Sequence, residues 1–203
     1  MENGKTVLGS SYLENLKKYI GKDINILDNG NEVRVYVDAE IQYFLKEDNQ
    51  RYILYMQERG IETKEKEYAV EKEMQRNVAI LLKNVFNEEV KYPFSGKFRD
   101  IATISELKNT MSQCVDKKLY SVSSLEKDKI NIEQNEGGLY SIFFLDKNGE
   151  KYILEQDEEA PFVFKRFYNE VLYYGETLKQ IEEYEDIFGD KLEYSIKLEL
   201  LGY

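Results

Sequence analysis

Two spacings of apolar residues alternate along this chain. Where apolar side chains recur every three or four positions, a helix with one buried stripe is expected. Where they alternate with polar ones, a half-buried strand is expected. The first helical stretch runs from about Tyr12 to Ile20 and stops at Gly21. Strands follow near Ile24–Leu27 and Val33–Val37, split by Asp28-Asn29-Gly30-Asn31. Val33, Val35 and Val37 alternate there with Arg34 and Tyr36. Two more strands flank a charged turn, Lys46 to Gln50. A helix is then expected over roughly Lys66 to Asn87, with Val70, Met74, Val78, Leu81, Leu82 and Val85 on one face.

The same order returns. The pattern predicts a helix over Ile104 to Val115, and strands near Leu119–Val122, Lys129–Glu133, Leu139–Leu145 and Glu150–Gln156. Asn148-Gly149 reads as a two-residue hairpin turn, because such turns need positive φ. A long helix is expected from Pro161, a favoured first helical residue, to a stop at Gly189. Its stripe is Phe164, Phe167, Val171, Tyr174, Leu178, Ile181 and Phe188. Leu192, Tyr194, Ile196, Leu198 and Leu200 alternate with polar residues, so a final strand is expected.

Two local matches suggest an internal repeat. YFLKEDNQRYIL (Tyr43 to Leu54) resembles FFLDKNGEKYIL (Phe143 to Leu154), with Glu58 opposite Glu158 beyond them. Ser11 with Glu14, and Thr103 with Glu106, have the spacing of a capping box. The expected fold is therefore α+β: two similar helix–four-strand–helix halves with antiparallel sheets, plus a C-terminal strand. The first repeat would occupy residues 1–95 and the second, more acidic one residues 96–203. Val90 to Asp100, interrupted by Pro93 and Gly96, would link them.

Composition narrows the chemistry. The 203 residues include 28 Lys+Arg and 39 Asp+Glu, a net charge of -11, which argues against nucleic acid as a ligand. There is no histidine, so His-based catalysis and His metal sites are excluded. The single Cys114 allows no intrachain disulfide or four-cysteine zinc site, and reads as a buried structural thiol. Gly137-Gly138 and Gly149 make no phosphate loop, and Asp146 to Glu150 lacks calcium-loop spacing. No enzyme activity, cofactor or metal is expected. The N-terminus lacks the apolar run of a signal peptide, and no stretch approaches the ~20 apolar residues that span a bilayer, so a cytoplasmic protein with no membrane partner is expected.

The acidity is uneven. Residues 1–100 carry a net -2 and residues 101–203 a net -9. Glu155, Asp157, Glu158 and Glu159 form one cluster; Glu182, Glu183, Glu185 and Asp186, with Glu176 upstream, form another. Acids near a helix C-terminus oppose the macrodipole and so do not serve the helix. Tyrosine is abundant, 17 residues with no Trp, and Tyr173 and Tyr184 lie off the long helix's stripe. Tyr is enriched in interfaces. These acids with Tyr173 and Tyr184 are the candidate partner-binding residues.

The strand Tyr52-Ile-Leu-Tyr-Met-Gln-Glu-Arg-Gly60, leading to a helix, resembles a pattern in bacterial immunity proteins of polymorphic and contact-dependent toxin systems. The match covers under a tenth of the chain, and Glu158-Glu159-Ala160 replaces Glu-Arg-Gly in the second half. The resemblance implies a non-enzymatic protein that binds and blocks one cognate toxin domain, a basic one such as a nuclease. A secretion-chaperone-like or adaptor module, and an acidic inhibitor of a DNA-binding protein, are the alternatives.

Overall fold

In the computed structural model, which describes residues 7–38, 40–86 and 90–203, the alternating stretches build two sheets and the helical stretches pack on them. The fold is α+β. The chain divides into two units: residues 1–88 with 182–191, and residues 89–181 with 192–203.

The first unit contains α1 (Ser10–Ile20), β1 (Asn25–Asp28), β2 (Glu32–Tyr36), β3 (Ile41–Asp48), β4 (Arg51–Glu58), β5 (Ile61–Tyr68) and α2 (Glu71–Phe86). Its strands form one antiparallel meander in chain order. That is five strands where four are expected. β5 takes part of the segment expected as helix, so α2 starts later; the expected helix end, Asn87, lies outside the described residues. The β3–β4 and β4–β5 turns are two-residue turns. Asn49 and Gln50 have φ of 49° and 64°, and Arg59 and Gly60 have 50° and 85°. Positive φ at both positions matches the twist of the flanking strands.

One sheet face packs Val33, Val35, Tyr43, Leu45 and Leu54 with Val78 and Leu82 of α2. Phe44 points the other way and is still 1% exposed. It stacks on Tyr55 at 5.1 Å, with Arg34 at 4.4 Å and Lys46 at 4.7 Å from its ring. Cations and their stems thus cover an aromatic on a polar sheet face.

The Ser11–Glu14 capping box does not form. Gly9 is the N-cap of α1 and no side chain caps it, which places Ser11 inside the helix. Gly21 does end α1, at φ 70°. The Thr103–Glu106 box is present: the Glu106 amide donates to the Thr103 hydroxyl, and the Glu106 carboxylate accepts from the Thr103 amide at 3.0 Å.

The second unit contains α3 (Ile104–Cys114), β6 (Tyr120–Val122), β7 (Lys129–Gln134), β8 (Tyr140–Leu145), β9 (Lys151–Glu158), most of α4 (Phe162–Phe188) and α5 (Tyr194–Leu201). Its sheet order is β6-β7-β8-β9. β6 and β7 are parallel, against the expected all-antiparallel meander. Residues 123–128 run back across the sheet to start β7, with Ser123 and Asp128 at φ 72° and 56°. Asn131, wholly buried, holds this return segment. Its side-chain oxygen accepts from the Glu126 amide at 2.9 Å, and its NH₂ donates to the carbonyls of Glu126 at 2.9 Å and Lys129 at 2.8 Å.

The β8–β9 turn is not the expected two-residue type. Leu145 pairs with Lys151, and the Asp146 carboxylate accepts from the amides of Asn148 and Glu150 at 2.8 and 2.7 Å. The two similar hairpins therefore differ in register. Leu45 faces Leu54 in the first, whereas Leu145 faces Lys151 in the second. The expected C-terminal strand is a helix, α5, closed by Gly202 at φ 86°. Cys114 is half-buried rather than buried.

The core of this unit is aromatic. Tyr120 meets Phe167 at 6.1 Å, Tyr140 meets Phe164 at 4.8 Å, and Phe144 meets Tyr174 at 5.5 Å and Tyr203 at 4.5 Å. The expected linker supplies part of it. Phe98 is fully buried, stacks on Tyr168 at 4.6 Å, and the Phe94 amide donates to the Tyr168 hydroxyl at 3.1 Å.

Candidate partner-binding site

The carboxylates between β9 and α4 stand where a strand turns into a helix. Asp157 has φ 56° and is exposed, with its carboxylate accepting from the Asn135 side chain at 2.7 Å. Two register shifts in the β8–β9 ladder, at Ile142/Phe143 and Tyr140/Ile142, bend this end of the strand. Glu159 is exposed and its carbonyl starts the hydrogen-bonded run of α4 by accepting from the Val163 amide at 3.1 Å. Glu158 is half-buried and pairs with Tyr140 in the ladder.

Glu155 joins this segment to α4. Arg166 lies 3.2 Å from Glu155 and 2.9 Å from Glu170. Burial raises the Glu170 carboxyl above the ordinary glutamate range, and Arg166 opposes that shift. Phe162, Arg166, Glu170 and Tyr173 follow helical spacing down one side of α4. Phe162 is 61% exposed and Tyr173 48% exposed. Two open aromatic rings thus flank an Arg–carboxylate pair, beside exposed Asp157 and Glu159. Aromatic residues and Arg are the types that dominate interface energetics. Charge marked the carboxylates in the sequence. Phe162 and Arg166 carry no such mark, because their exposure depends on which helix face is left uncovered.

The second cluster is different. It lies in the first unit, in the last turns of α4. Tyr184 is buried, at 5.8 Å from Tyr19 and 4.6 Å from Phe188. Glu185 is buried and lies 3.2 Å from Lys191. Both belong to the core, not to an open surface, because the helix turns them inward. Glu183 pairs with Lys83. Glu182 and Asp186 are exposed. Counted by unit, the charge asymmetry also changes. The first unit has 14 basic and 21 acidic residues, net -7, and the second 14 and 18, net -4.

Among the described residues, no group of three or more His, Cys, Asp or Glu is placed to hold a metal ion, and no helix is long and apolar enough to cross a membrane. In comparisons with known proteins, no family model matches the chain, and no curated protein or solved structure matches it.

Proposed function

We propose that this protein is a non-enzymatic immunity protein, which binds a cognate bacterial toxin domain with a basic surface and blocks it. The observation that carries this reading is the strip at the start of α4, where Phe162 and Tyr173 are open beside Asp157, Glu159 and the Arg166–Glu155 pair. An acidic rim accelerates encounter with a basic partner, and central aromatic rings hold it. A toxin that handles phosphate keeps a basic groove, and carboxylates can occupy the same positions.

The test uses a toxin encoded beside this protein, co-expressed with it. Wild-type protein is expected to restore growth and to bind the purified toxin domain. Reversal of Asp157, Glu158 and Glu159 should slow association, with an effect that shrinks as salt shortens screening to ~8 Å at physiological ionic strength. Tyr173→Ala should speed dissociation, with a cost of roughly 2 kcal/mol. Binding unchanged in folded variants of both kinds would remove this surface from the reading. Absence of protection by the wild-type protein would remove the immunity role itself.

A further inference from the structure

The return segment between β6 and β7 borders a cleft of about 330 Å³, formed within the second unit by α3 and β6–β7. Its lining includes Lys108, Lys117 and Lys129, the hydroxyls of Ser112, Ser121 and Ser124, and one carboxylate, Glu126. That is a local charge of +2 inside a unit of net -4. Its volume is at the lower end of the ~300–1,000 Å³ typical of small-molecule sites.

The Glu126 carboxylate is already engaged. Lys129 lies 2.5 Å from it, and the Ser121 and Ser124 hydroxyl oxygens lie 3.1 and 3.3 Å from it. Lys108 and Lys117 are exposed and make no ion pair among the described residues, so their charge is available to a ligand. The floor is rigid. Ser121 is 3% exposed and hydrogen-bonds Ser124 at 2.8 Å, and Asn131 clamps the segment from beneath. The segment also stores strain at Ser123 and Asp128, both at positive φ without being glycine. Such strain costs about 1 kcal/mol or more per residue and gathers at binding loops. A second cleft of about 360 Å³ borders the same segment and shares Ser124.

We propose that the cleft between α3 and the β6–β7 return segment binds a small molecule bearing an oxyanion, either a phosphate monoester or a carboxylate. Lys108 and Lys117 hold the charge. The reading is independent of any role in toxin binding, since it uses none of the β9–α4 residues.

Isotope-labelled full-length protein, titrated with inorganic phosphate and separately with citrate, tests this by heteronuclear NMR. Saturable shifts confined to the cleft are expected, with Kd of about 1 mM or tighter for one of the two. The tighter of the two identifies phosphate or carboxylate as the ligand group. The double variant Lys108→Glu/Lys117→Glu, at exposed positions, should weaken binding at least about tenfold, or ~1.4 kcal/mol. Lys17→Glu/Lys18→Glu, exposed in the first unit, should leave it unchanged. Absence of saturation with both anions overturns the proposal, as does equal weakening in the two double variants.

Discussion

Lys83 and Glu183, one hundred positions apart, form an ion pair at 2.8 Å whose two ends differ in burial: the lysine side chain is 8% exposed and the glutamate 43%. The ammonium also donates to the Tyr19 carbonyl and sits 4.8 Å from the centre of the Tyr19 ring. Lys83 is thus a core residue of the first unit, whereas Glu183 is a partly solvated partner. Lys83→Ala is expected to cost about 2–3 kcal/mol, from lost stem packing and the lost hydrogen bond to the Tyr19 carbonyl. Glu183→Gln should cost under ~1 kcal/mol, as half-exposed pairs do. Chemical denaturation of both variants checks this, and equal costs would contradict the asymmetry.

The two capping boxes expected from spacing separate cleanly. Thr103→Ala should destabilise by about 1 kcal/mol, because it removes the hydroxyl that accepts from the Glu106 amide. Ser11→Ala should change stability by less than ~0.5 kcal/mol, since Ser11 is exposed within α1 and caps nothing. Thermal melts of the two proteins measure the difference. A larger loss at Ser11 would mean that α1 starts elsewhere.

Asn131→Leu should cost about 3 kcal/mol. It strips three hydrogen bonds, two to the Glu126 backbone and one to the Lys129 carbonyl, and leaves a wholly buried position without its polar side chain. Faster amide exchange at residues 124–129, with β8 and β9 still protected, is the expected signature. Uniformly faster exchange across the sheet would assign Asn131 a global role instead.

Alkaline pH should unfold the protein through its tyrosines. Burial raises Tyr174 and Tyr184 from 10.0 to about 12, and raises Tyr12, Tyr19 and Tyr203 further. Each neutral phenol is favoured in the fold. Its contribution is complete below pH 10, the unfolded value, and is lost as pH rises towards the folded value. Stability should therefore fall from about pH 10 upward. Phenolate absorbance and circular dichroism followed together should change in one step. Full ionisation with the fold intact would contradict the burial.

The first four helices and the α+β class were legible because their apolar stripes are long. Phe164, Phe167, Val171 and Tyr174 all became core. β5 was not legible, since IETKEKEY has little apolar pattern: it is an edge strand held by its pairing with β4, and its charges suit an edge. α5 read as a strand because a short segment can satisfy alternation by chance. Its Tyr194 is fixed from outside the helix, donating to Asp128 at 2.5 Å and accepting from the Lys147 amide at 3.0 Å. The parallel β6–β7 pair was hidden because short connections normally join antiparallel neighbours. Its signals, an αL aspartate and a buried Asn, carry meaning only once the chain doubles back. At the candidate site, charge singled out both acidic clusters alike and could not tell exposed Glu182 from buried Glu185 three residues on.

Helix α4 lends its last turns to the unit built from the beginning of the chain. A ribosome completes α1, the five-stranded sheet and α2 long before it translates Tyr184 and Phe188, against which Tyr12 and Tyr19 rest. Domains made of continuous sequence can fold as they emerge. This one must keep its first tyrosines waiting until residues 184 to 188 have been made. A nascent chain stalled before Tyr184 should accordingly stay open to protease in α1 and α2, and close only on release.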